Sequence, residues 1–576
     1  MRVRRGLSVA GAAAAALATG ALYAVSRGRW SDPLIDSGRE WIVPDALARG
    51  QLLYRDVVYW FGPFTPYFQA LFLKAFGSSL ASLVAAGAAT AAGCAAALYA
   101  AAARVAGRRD ALLWTALAIP ALLFMPNAGG ALLGMGYRIW QAAAFALAAV
   151  ALSARAVGPR ANARSVGAGI GAALSGLCRT EWGLAAMAGV ALACVLARRA
   201  RRDGLRSALV AAASYAVCFG AGLGVFLATA GWDAVVRDGH VLLTGLPPET
   251  RHFLFAFSGV RDLGHGLPEL FYSTAMWVGV FLLAALLARP SREGRRKALR
   301  ALAGVLAVLA VTALAGGAGG AVLFSAAPAV CLAGFAAGLS RRRGTPAAAL
   351  AASGLLGLVL CYRRIFHIGD TPYVGPPLLF AFVCAAGLLR LALAAERRHA
   401  PRRRLAAAFR VAVGGLVVLA FAGRIWQYRA IEGVPIAGTS GMLSARPELA
   451  REIEELAAAV RAGTRDGDGL VAFPEGELFN LLSGRANPIR HRLYLPGYLT
   501  ERNEDEVLAE LKRARPAAVI LWLRPTGEYD RGLFGEDYGR RVRAWIRENY
   551  RLEPFRARGA PARTNPRFIL GLFEGR

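Results

Sequence analysis

The sequence predicts a polytopic α-helical membrane protein with about 13 transmembrane helices, followed by a small extracytoplasmic α/β domain. Apolar segments long enough to cross a bilayer core, about 20 residues, recur over residues 1–423. Hydrophobic residues make up 56% of the 576 residues, and the mean hydropathy is +0.42. From residue 424 to residue 576 the composition changes to short β-type stretches that alternate with amphipathic helical ones. The chain is therefore predicted to have a membrane domain at 1–423 and an outer domain at 424–576.

The predicted spans follow one another with mostly short connections. They lie near 7–26, 79–104, 110–126, 138–157, 164–178, 182–198, 207–230, 271–289, 299–315, 318–340, 346–362, 375–395 and 404–423. The first span follows the basic sequence MRVRRG and is interpreted as a retained signal-anchor helix, with a cleaved signal peptide ending near 24–26 as the alternative. Either interpretation sends the next loop, 27–78, to the outer side of the membrane.

The distribution of charge supports this topology. The chain carries 68 Lys and Arg against 37 Asp and Glu, for a formal net charge of +31. Its basic clusters fall on alternate loops, at 108–109, 160–164, 198–202, 292–297, 341–343 and 397–404. Because cytoplasmic loops of membrane proteins are enriched in Lys and Arg, this pattern predicts a multi-pass protein of the cell inner membrane. The expected cytoplasmic loops therefore account for the excess of positive charge, and nucleic-acid binding is not expected.

The C-terminal region is predicted to contain three strands, at 469–473, 517–523 and 567–573, with helices near 447–462, 504–514 and 537–550. A turn and a helix are predicted at 474–485, PEGELFNLLSGR. The region contains neither GxGxxG nor GxxxxGK, so nucleotide binding is not indicated. None of the seven cysteines lies in it, so a disulfide framework or a CxxC metal site is not expected.

The first outer loop concentrates acidic residues in a basic protein. Residues 36–47 can form a helix, on which Asp36 and Glu40 would share one face next to Arg39. Two carboxylates at a membrane surface could serve as general base and orienting partner, or hold a divalent cation. A solvated acidic helix start is the alternative. The apolar run at 63–77 is too short to span the membrane and is predicted to lie in its interface.

Three further groups are candidates for substrate or phosphate binding, because Arg can clamp a phosphate with two parallel hydrogen bonds. Each also has a structural alternative, namely an ordinary loop or boundary ion pair. The candidate residues are Arg39, Tyr54 and Arg55 in the first loop, Arg179 and Glu181 in the turn CRTEW, and Arg363, Arg364 and His367 in the outer segment 361–377.

The first loop and the topology together resemble the GT-C superfamily of integral-membrane glycosyltransferases. The resemblance is to its family 39-like members, the protein O-mannosyltransferases and lipid A aminoarabinose transferases. It depends on an Asp soon after the first span, the run GQLLYRD, the dipeptide GP and the ending KAFG, all within 32–80. The chain departs from the mannosyltransferase pattern at one point, because DSGRE stands where that branch has a paired Asp-Glu.

The resemblance implies transfer of a hexosyl or pentosyl group from a polyprenyl-phosphate-linked donor to a hydroxyl acceptor on a glycan, lipid or protein, with inversion, on the extracytoplasmic face. Asp36 would accept the acceptor proton and Glu40 would orient the acceptor or a basic neighbour. Arg55, Arg179 or the pair Arg363 and Arg364 would steady the departing phosphate. No cofactor is required, although a divalent cation is possible. An O-antigen ligase-like or polymerase-like transferase and a transporter or flippase for a lipid-linked substrate are the alternatives.

Overall fold

The computed structural model describes residues 2–126, 129–134, 136–198, 200–239, 318–341, 343–361, 375–395, 399–529, 531–558 and 566–573. Within residues 1–429 it contains thirteen described α-helices. They are α1 Arg2–Ser26, α2 Ser37–Ala48, α3 Phe64–Phe76, α4 Leu80–Val105, α5 Arg108–Ala118, α6 Tyr137–Ser153, α7 Ala161–Cys178, α8 Thr180–Ala197, α9 Arg201–Trp232, α10 Ala318–Leu339, α11 Thr345–Leu360, α12 Leu378–Ala395 and α13 His399–Arg429. Short π-helical segments, Ile119–Leu123 and Asp233–Asp238, continue α5 and α9.

Except for α2 and α3, these helices coincide with predicted spans. The spans predicted at 271–289 and 299–315 lie outside the described residues, so the total of about 13 stays a prediction. Among the described residues, four helical stretches are long and apolar enough to cross a membrane by length and composition: Leu80–Val105, Thr180–Ala197, Arg202–Val236 and Ala406–Arg429. The helix predicted at 36–47 is α2, and the short helix predicted at 63–77 is α3.

Small residues allow the apolar helices to pack closely. A Cβ on Gly183 of α8 would stand 2.4 Å from the Cα of Gly176 on α7, so the hairpin between these helices depends on both glycines. A Cβ on Gly354 of α11 would stand 2.4 Å from the backbone nitrogen of Phe335 on α10. Close backbone approach through small residues is the usual way in which membrane helices associate, because lipid supplies no hydrophobic driving force between them.

The region after α13 forms two sheets and four more helices. The elements are β1 Val434–Pro435, β2 Ser444–Ala445, α14 Pro447–Gly463, β3 Leu470–Phe473, α15 Leu478–Ser483, α16 Glu501–Ala514, β4 Ala518–Trp522, α17 Arg540–Asn549, β5 Tyr550–Phe555 and β6 Phe568–Phe573. The larger sheet has the order β3-β4-β6-β5, with β3 and β4 parallel and the other pairs antiparallel. All three predicted strands are present as β3, β4 and β6. Strand β5 was not predicted, because the exposed alternate residues of YRLEPF give no continuous apolar run.

The C-terminal region packs on the first loop, 27–78, through one continuous core. A single cluster of buried side chains contains Trp41 of α2, Leu132 before α6, and Phe479 of α15. A second cluster, on the other face of the large sheet, contains Val471, Val507 and Val542. Burial of apolar surface therefore fixes the C-terminal region against the loop that carries the candidate acidic residues.

Candidate active site

The two predicted carboxylates meet at the first turn of α2, around one arginine. Asp36 immediately precedes the helix, with a φ of 67°, and its backbone carbonyl accepts the first helical hydrogen bond from the Glu40 amide at 2.8 Å. Arg39 donates to the Asp36 carboxylate, and its guanidinium lies 3.9 Å from Oε1 of Glu40. Both carboxylates therefore lie beside Arg39, with Asp36 at the helix cap instead of on the helix face expected for it.

Glu40 has a second basic partner that the sequence analysis missed. Arg138, in the first turn of α6, places Nη1 3.1 Å from Oε1 of Glu40, and both side chains are buried. The guanidinium carbon of Arg138 lies 3.7 Å from the ring centroid of Phe61, a cation–π geometry that fixes it from the other side. Burial raises the pKa of Glu40 above its ordinary value, against the opposing effect of Arg138 and Arg39. A raised pKa brings a carboxylate closer to the range in which it acts as a base at neutral pH.

Arg39, Glu40 and Arg138 line one cavity with an empty volume of about 620 Å³. Its walls come from both parts of the chain. The first loop and the membrane helices contribute Arg39, Glu40, Val43, Pro44, Val58, Tyr59, Trp60, Phe61, Pro66, Gln69 and Arg138, and the C-terminal region contributes His491, Arg492, Leu493 and Tyr498. Asp36 is buried but does not line the cavity. Of the two predicted carboxylates, only Glu40 can contact a molecule that enters it.

The segment after α15 closes one side of this cavity. The ring of Tyr498 stacks on that of Trp60 with centroids 3.7 Å apart. Arg490 donates to the backbone carbonyls of Tyr54 and Arg55, each at 3.1 Å. These contacts hold the cavity-lining residues of the C-terminal region directly against the first loop.

Two buried carboxyl groups of the C-terminal region lie close enough to Asp36 and Arg39 to interact with their charges. Glu475 and Glu477 belong to the turn before α15, and Glu475 pairs with Arg524. Burial raises the pKa of Glu475 to about 8 and that of Glu477 to about 7, with the Asp36 carboxylate adding to both shifts. The turn approaches so closely that a Cβ on Gly38 would stand 2.1 Å from the backbone nitrogen of Leu478. Glycine at position 38 is what allows this contact.

The other predicted residues take different positions. Tyr54 is fully buried and donates to the Phe61 carbonyl at 2.5 Å, and Arg55 forms a largely exposed two-bond pair with Asp56. Neither residue lines the cavity. Arg179 forms an ion pair with Glu181 at 2.6 Å and lies 5.4 Å from the Phe61 ring centroid, on the same ring as Arg138 but outside the cavity lining. Arg363, Arg364 and His367 lie outside the described residues.

One group in the described part of the chain has the spacing for a metal ion. His491, Glu506 and Glu510 each offer a ligand atom, and these atoms lie within 4.8 Å of one another. The group is already paired internally, however. His491 Nδ1 lies 3.2 Å from Glu510, and Arg490 pairs with Glu506. The geometry is therefore satisfied without a cation.

Comparisons with known proteins address the fold. No protein-family model matches the sequence, and no curated protein matches it significantly. Among solved structures, ArnT from Cupriavidus metallidurans bound to undecaprenyl phosphate has a TM-score of 0.55 at 10% identity, over 98% of this chain and 98% of that one. The same protein in its apo state has a TM-score of 0.49 at 12% identity, over 99% and 98%. AglB from Archaeoglobus fulgidus, an oligosaccharyltransferase in complex with an inhibitory peptide and a dolichol-phosphate, has a TM-score of 0.42 at 14% identity, over 89% and 69%.

The likeness to the undecaprenyl-phosphate complex extends over nearly the full length of both chains. The chain accordingly has the fold of this ArnT structure, which agrees, at the level of the fold, with the resemblance drawn from the sequence. At 10% identity the likeness shows the fold alone.

Proposed function

We propose that this chain is an integral-membrane glycosyltransferase that moves a sugar from a polyprenyl-phosphate-linked donor to a hydroxyl acceptor. The observation that carries the proposal is the buried Glu40 carboxylate, which lines a cavity between two arginines. The fold is the second support, since the ArnT structure of that fold contains undecaprenyl phosphate. The reaction belongs on the extracytoplasmic face of the inner membrane, because the basic loops of the chain are expected on the cytoplasmic side.

Glu40 is the general base in this proposal. It accepts the proton of the acceptor hydroxyl while the hydroxyl oxygen bonds to the anomeric carbon and the bond from that carbon to the lipid phosphate breaks. Attack opposite the departing phosphate inverts the anomeric centre. Glu40 takes the role that the resemblance assigns to Asp36, because Glu40 lines the cavity and Asp36 does not. Asp36 positions Arg39, to which it is bound.

The arginines supply the electrostatic part of the reaction. Negative charge develops on the phosphate as the bond to the sugar breaks, and guanidinium groups fixed beforehand stabilise such charge without reorganising. Arg138 is fixed by Glu40 and Phe61, and Arg39 is fixed by Asp36. Helix α3 carries Phe64, Phe68 and Phe72 in succession along one side, which provides an apolar surface for the prenyl chain beside the cavity.

The proposal is tested by Glu40→Gln in purified protein supplied with membrane lipids and a radiolabelled polyprenyl-phosphate sugar. We expect transfer to fall by at least about 100-fold, the contribution of a general base. The protein should still insert and accumulate, because Gln keeps the size of the side chain. Asp56→Asn, a change to a partly exposed acid of the same loop that does not line the cavity, is the matched control and should retain transfer.

Asp36→Asn separates the two carboxylates. A positioning residue that acts through Arg39 should lower transfer less than Glu40→Gln does. Full transfer by Glu40→Gln would contradict the proposed role, and complete loss in Asp36→Asn alone would return the role of base to Asp36. Movement of labelled lipid across the membrane without a new glycosidic bond would instead identify a transporter.

A further inference from the structure

Arg492 is a buried arginine of the C-terminal region that forms no salt bridge with the described residues, and the carboxylates Glu510, Glu477 and Asp45 act on its charge only from beyond salt-bridge distance. It is only 5% exposed. Its guanidinium donates to two uncharged oxygens, the backbone carbonyl of Asn487 and Oε1 of Gln51, the latter at 3.1 Å. Its Nε is buried and has no hydrogen-bond partner. Burial lowers the pKa of Arg492 to about 10, so the side chain remains charged at neutral pH.

A buried charge that lacks an ion pair is costly, because neither water nor a fixed opposite charge replaces its hydration. The other two arginines of the cavity illustrate the usual solution, since Arg39 is bound to Asp36 and Arg138 to Glu40. Arg492 lines the same cavity without such a partner. The electrostatic balance of the cavity is thus incomplete on the side that the C-terminal region supplies.

The membrane part of the chain contributes a second unsatisfied donor. Gln69 of α3 lines the cavity, is 1% exposed, and has a buried Nε2 without a hydrogen-bond partner. A buried amide in this state loses its hydrogen bonds to water without replacement. Two unsatisfied nitrogen donors, one of them on a cation, are complementary to a ligand with negatively charged acceptor oxygens.

We propose that Arg492 and Gln69 form an oxyanion subsite for a phosphate group, so that the C-terminal region takes part in substrate binding. The inference rests on the proposed function, which identifies the phosphate as that of the lipid donor and of the lipid monophosphate released after transfer. A guanidinium offers planar, directional donors that suit phosphate oxygens. Arg39 and Arg138 are bound directly to carboxylates, whereas Arg492 lines the cavity without a directly bound carboxylate and can offer its guanidinium to the phosphate. The C-terminal region then helps the cavity to bind a lipid that carries a phosphate more tightly than a lipid without one.

The test measures binding of a long-chain polyprenyl monophosphate, the uncharged polyprenol and inorganic phosphate to the full chain in detergent. Direct titration provides the signal. We expect Arg492→Gln to weaken binding of the lipid monophosphate by 10-fold or more and to leave binding of the polyprenol unchanged. Arg492→Lys should lose less, because it keeps the charge. Arg485→Gln is the matched control, since Arg485 is a buried arginine of the same region that pairs with Asp466 and does not line the cavity.

Gln69→Leu keeps the inference testable if Arg492→Gln fails to fold. It removes the second donor from the membrane side without breaking a hydrogen bond of Nε2, so the protein should remain folded and bind the lipid monophosphate several-fold more weakly. Unchanged phosphate binding in the folded variants overturns the subsite and leaves the proposed function standing. If the wild-type chain does not bind the lipid, the proposed function is contradicted. Binding of inorganic phosphate then tests the subsite by itself. Binding of inorganic phosphate that is lost in Arg492→Gln supports the subsite, and the absence of such binding overturns the subsite.

Discussion

Arg138 is held by two groups that constrain it in different ways. Glu40 fixes one guanidinium nitrogen through a hydrogen bond at 3.1 Å, and the Phe61 ring covers the face of the group at 3.7 Å. Each partner restrains the other, because a buried ion pair that loses one member leaves an uncompensated charge. The pair therefore sets both the position and the ionisation of the proposed base.

Replacement of Arg138 should change the ionisation of Glu40 as well as the rate. Arg138→Gln removes the nearest positive charge, so the pKa of Glu40, already raised by burial, rises further and less of the base is ionised at neutral pH. We expect the acid limb of the pH–rate profile to move to higher pH and transfer at neutral pH to fall by roughly 10- to 1,000-fold. The transfer rate of Arg138→Lys should lie between that of the wild type and that of Arg138→Gln. A lower rate with an unmoved pH profile would show that Arg138 does not control the ionisation of Glu40.

At the scale of the elements, the contact between α2 and α15 decides whether the first loop keeps its shape. Gly38 lies in the first turn of α2 and faces the backbone at the start of α15, with no room for a methyl group. The same turn of α2 carries Arg39 and Glu40. A small change in this contact is therefore transmitted directly to the cavity.

Gly38→Ala should separate the two helices. The added methyl group would lie 2.1 Å from a backbone nitrogen, so the elements must shift, at a cost of about 1–3 kcal/mol in the free energy of unfolding. Gly93→Ala is the matched control, because Gly93 is a helical glycine of α4 with nothing within 4 Å of its Cβ position. Thermal unfolding in detergent measures both variants, and Gly93→Ala should remain within about 1 kcal/mol of the wild type. Equal stability of the two variants would mean that the contact tolerates separation.

The elements were predictable to different degrees, for physical reasons. Helices such as α4 and strands such as β4 follow from continuous apolar sequence, which is a local signal. The partners in the cavity are not local, since Arg138 is 98 residues from Glu40 and Arg492 is 441 from Gln51. Arg138 does carry a weak local signal, because it is a charged residue at the start of an apolar helix, at the end where the predicted topology expects few basic residues. Arg492 carries none, as it resembles any other arginine of a basic chain.

At the scale of the whole molecule, the membrane helices and the C-terminal region share one hydrophobic core and enclose acidic groups at their junction. Glu475 and Glu477 are buried there with pKa values raised to about 8 and about 7, mainly by desolvation. In the folded chain they hold their protons at pH values at which the unfolded chain has released them. Stability from this junction is therefore greatest at acidic pH and decreases as the pH rises towards 8.

Glu477→Gln should remove part of this dependence. We expect the unfolding temperature of the wild type to decrease between pH 5 and pH 8 relative to that of the variant, by an amount that corresponds to about 1–3 kcal/mol. Differential scanning fluorimetry across that range measures the difference. Glu548→Gln, at an exposed position of α17, should follow the wild-type curve. Parallel curves for wild type and Glu477→Gln would contradict a raised pKa for Glu477.

The contact between the first loop and the C-terminal region also has a consequence for biogenesis. The contact between Arg490 and Tyr54 joins positions that are 436 residues apart, so the ribosome makes one long after the other. At about 5–20 residues per second, roughly 20–90 seconds of translation separate them. During that interval Glu40 and the first helices can enter the membrane while His491, Arg492 and Tyr498 do not yet exist. The cavity is completed only after Tyr498 has been made, which ties the onset of its chemistry to the synthesis of the C-terminal region.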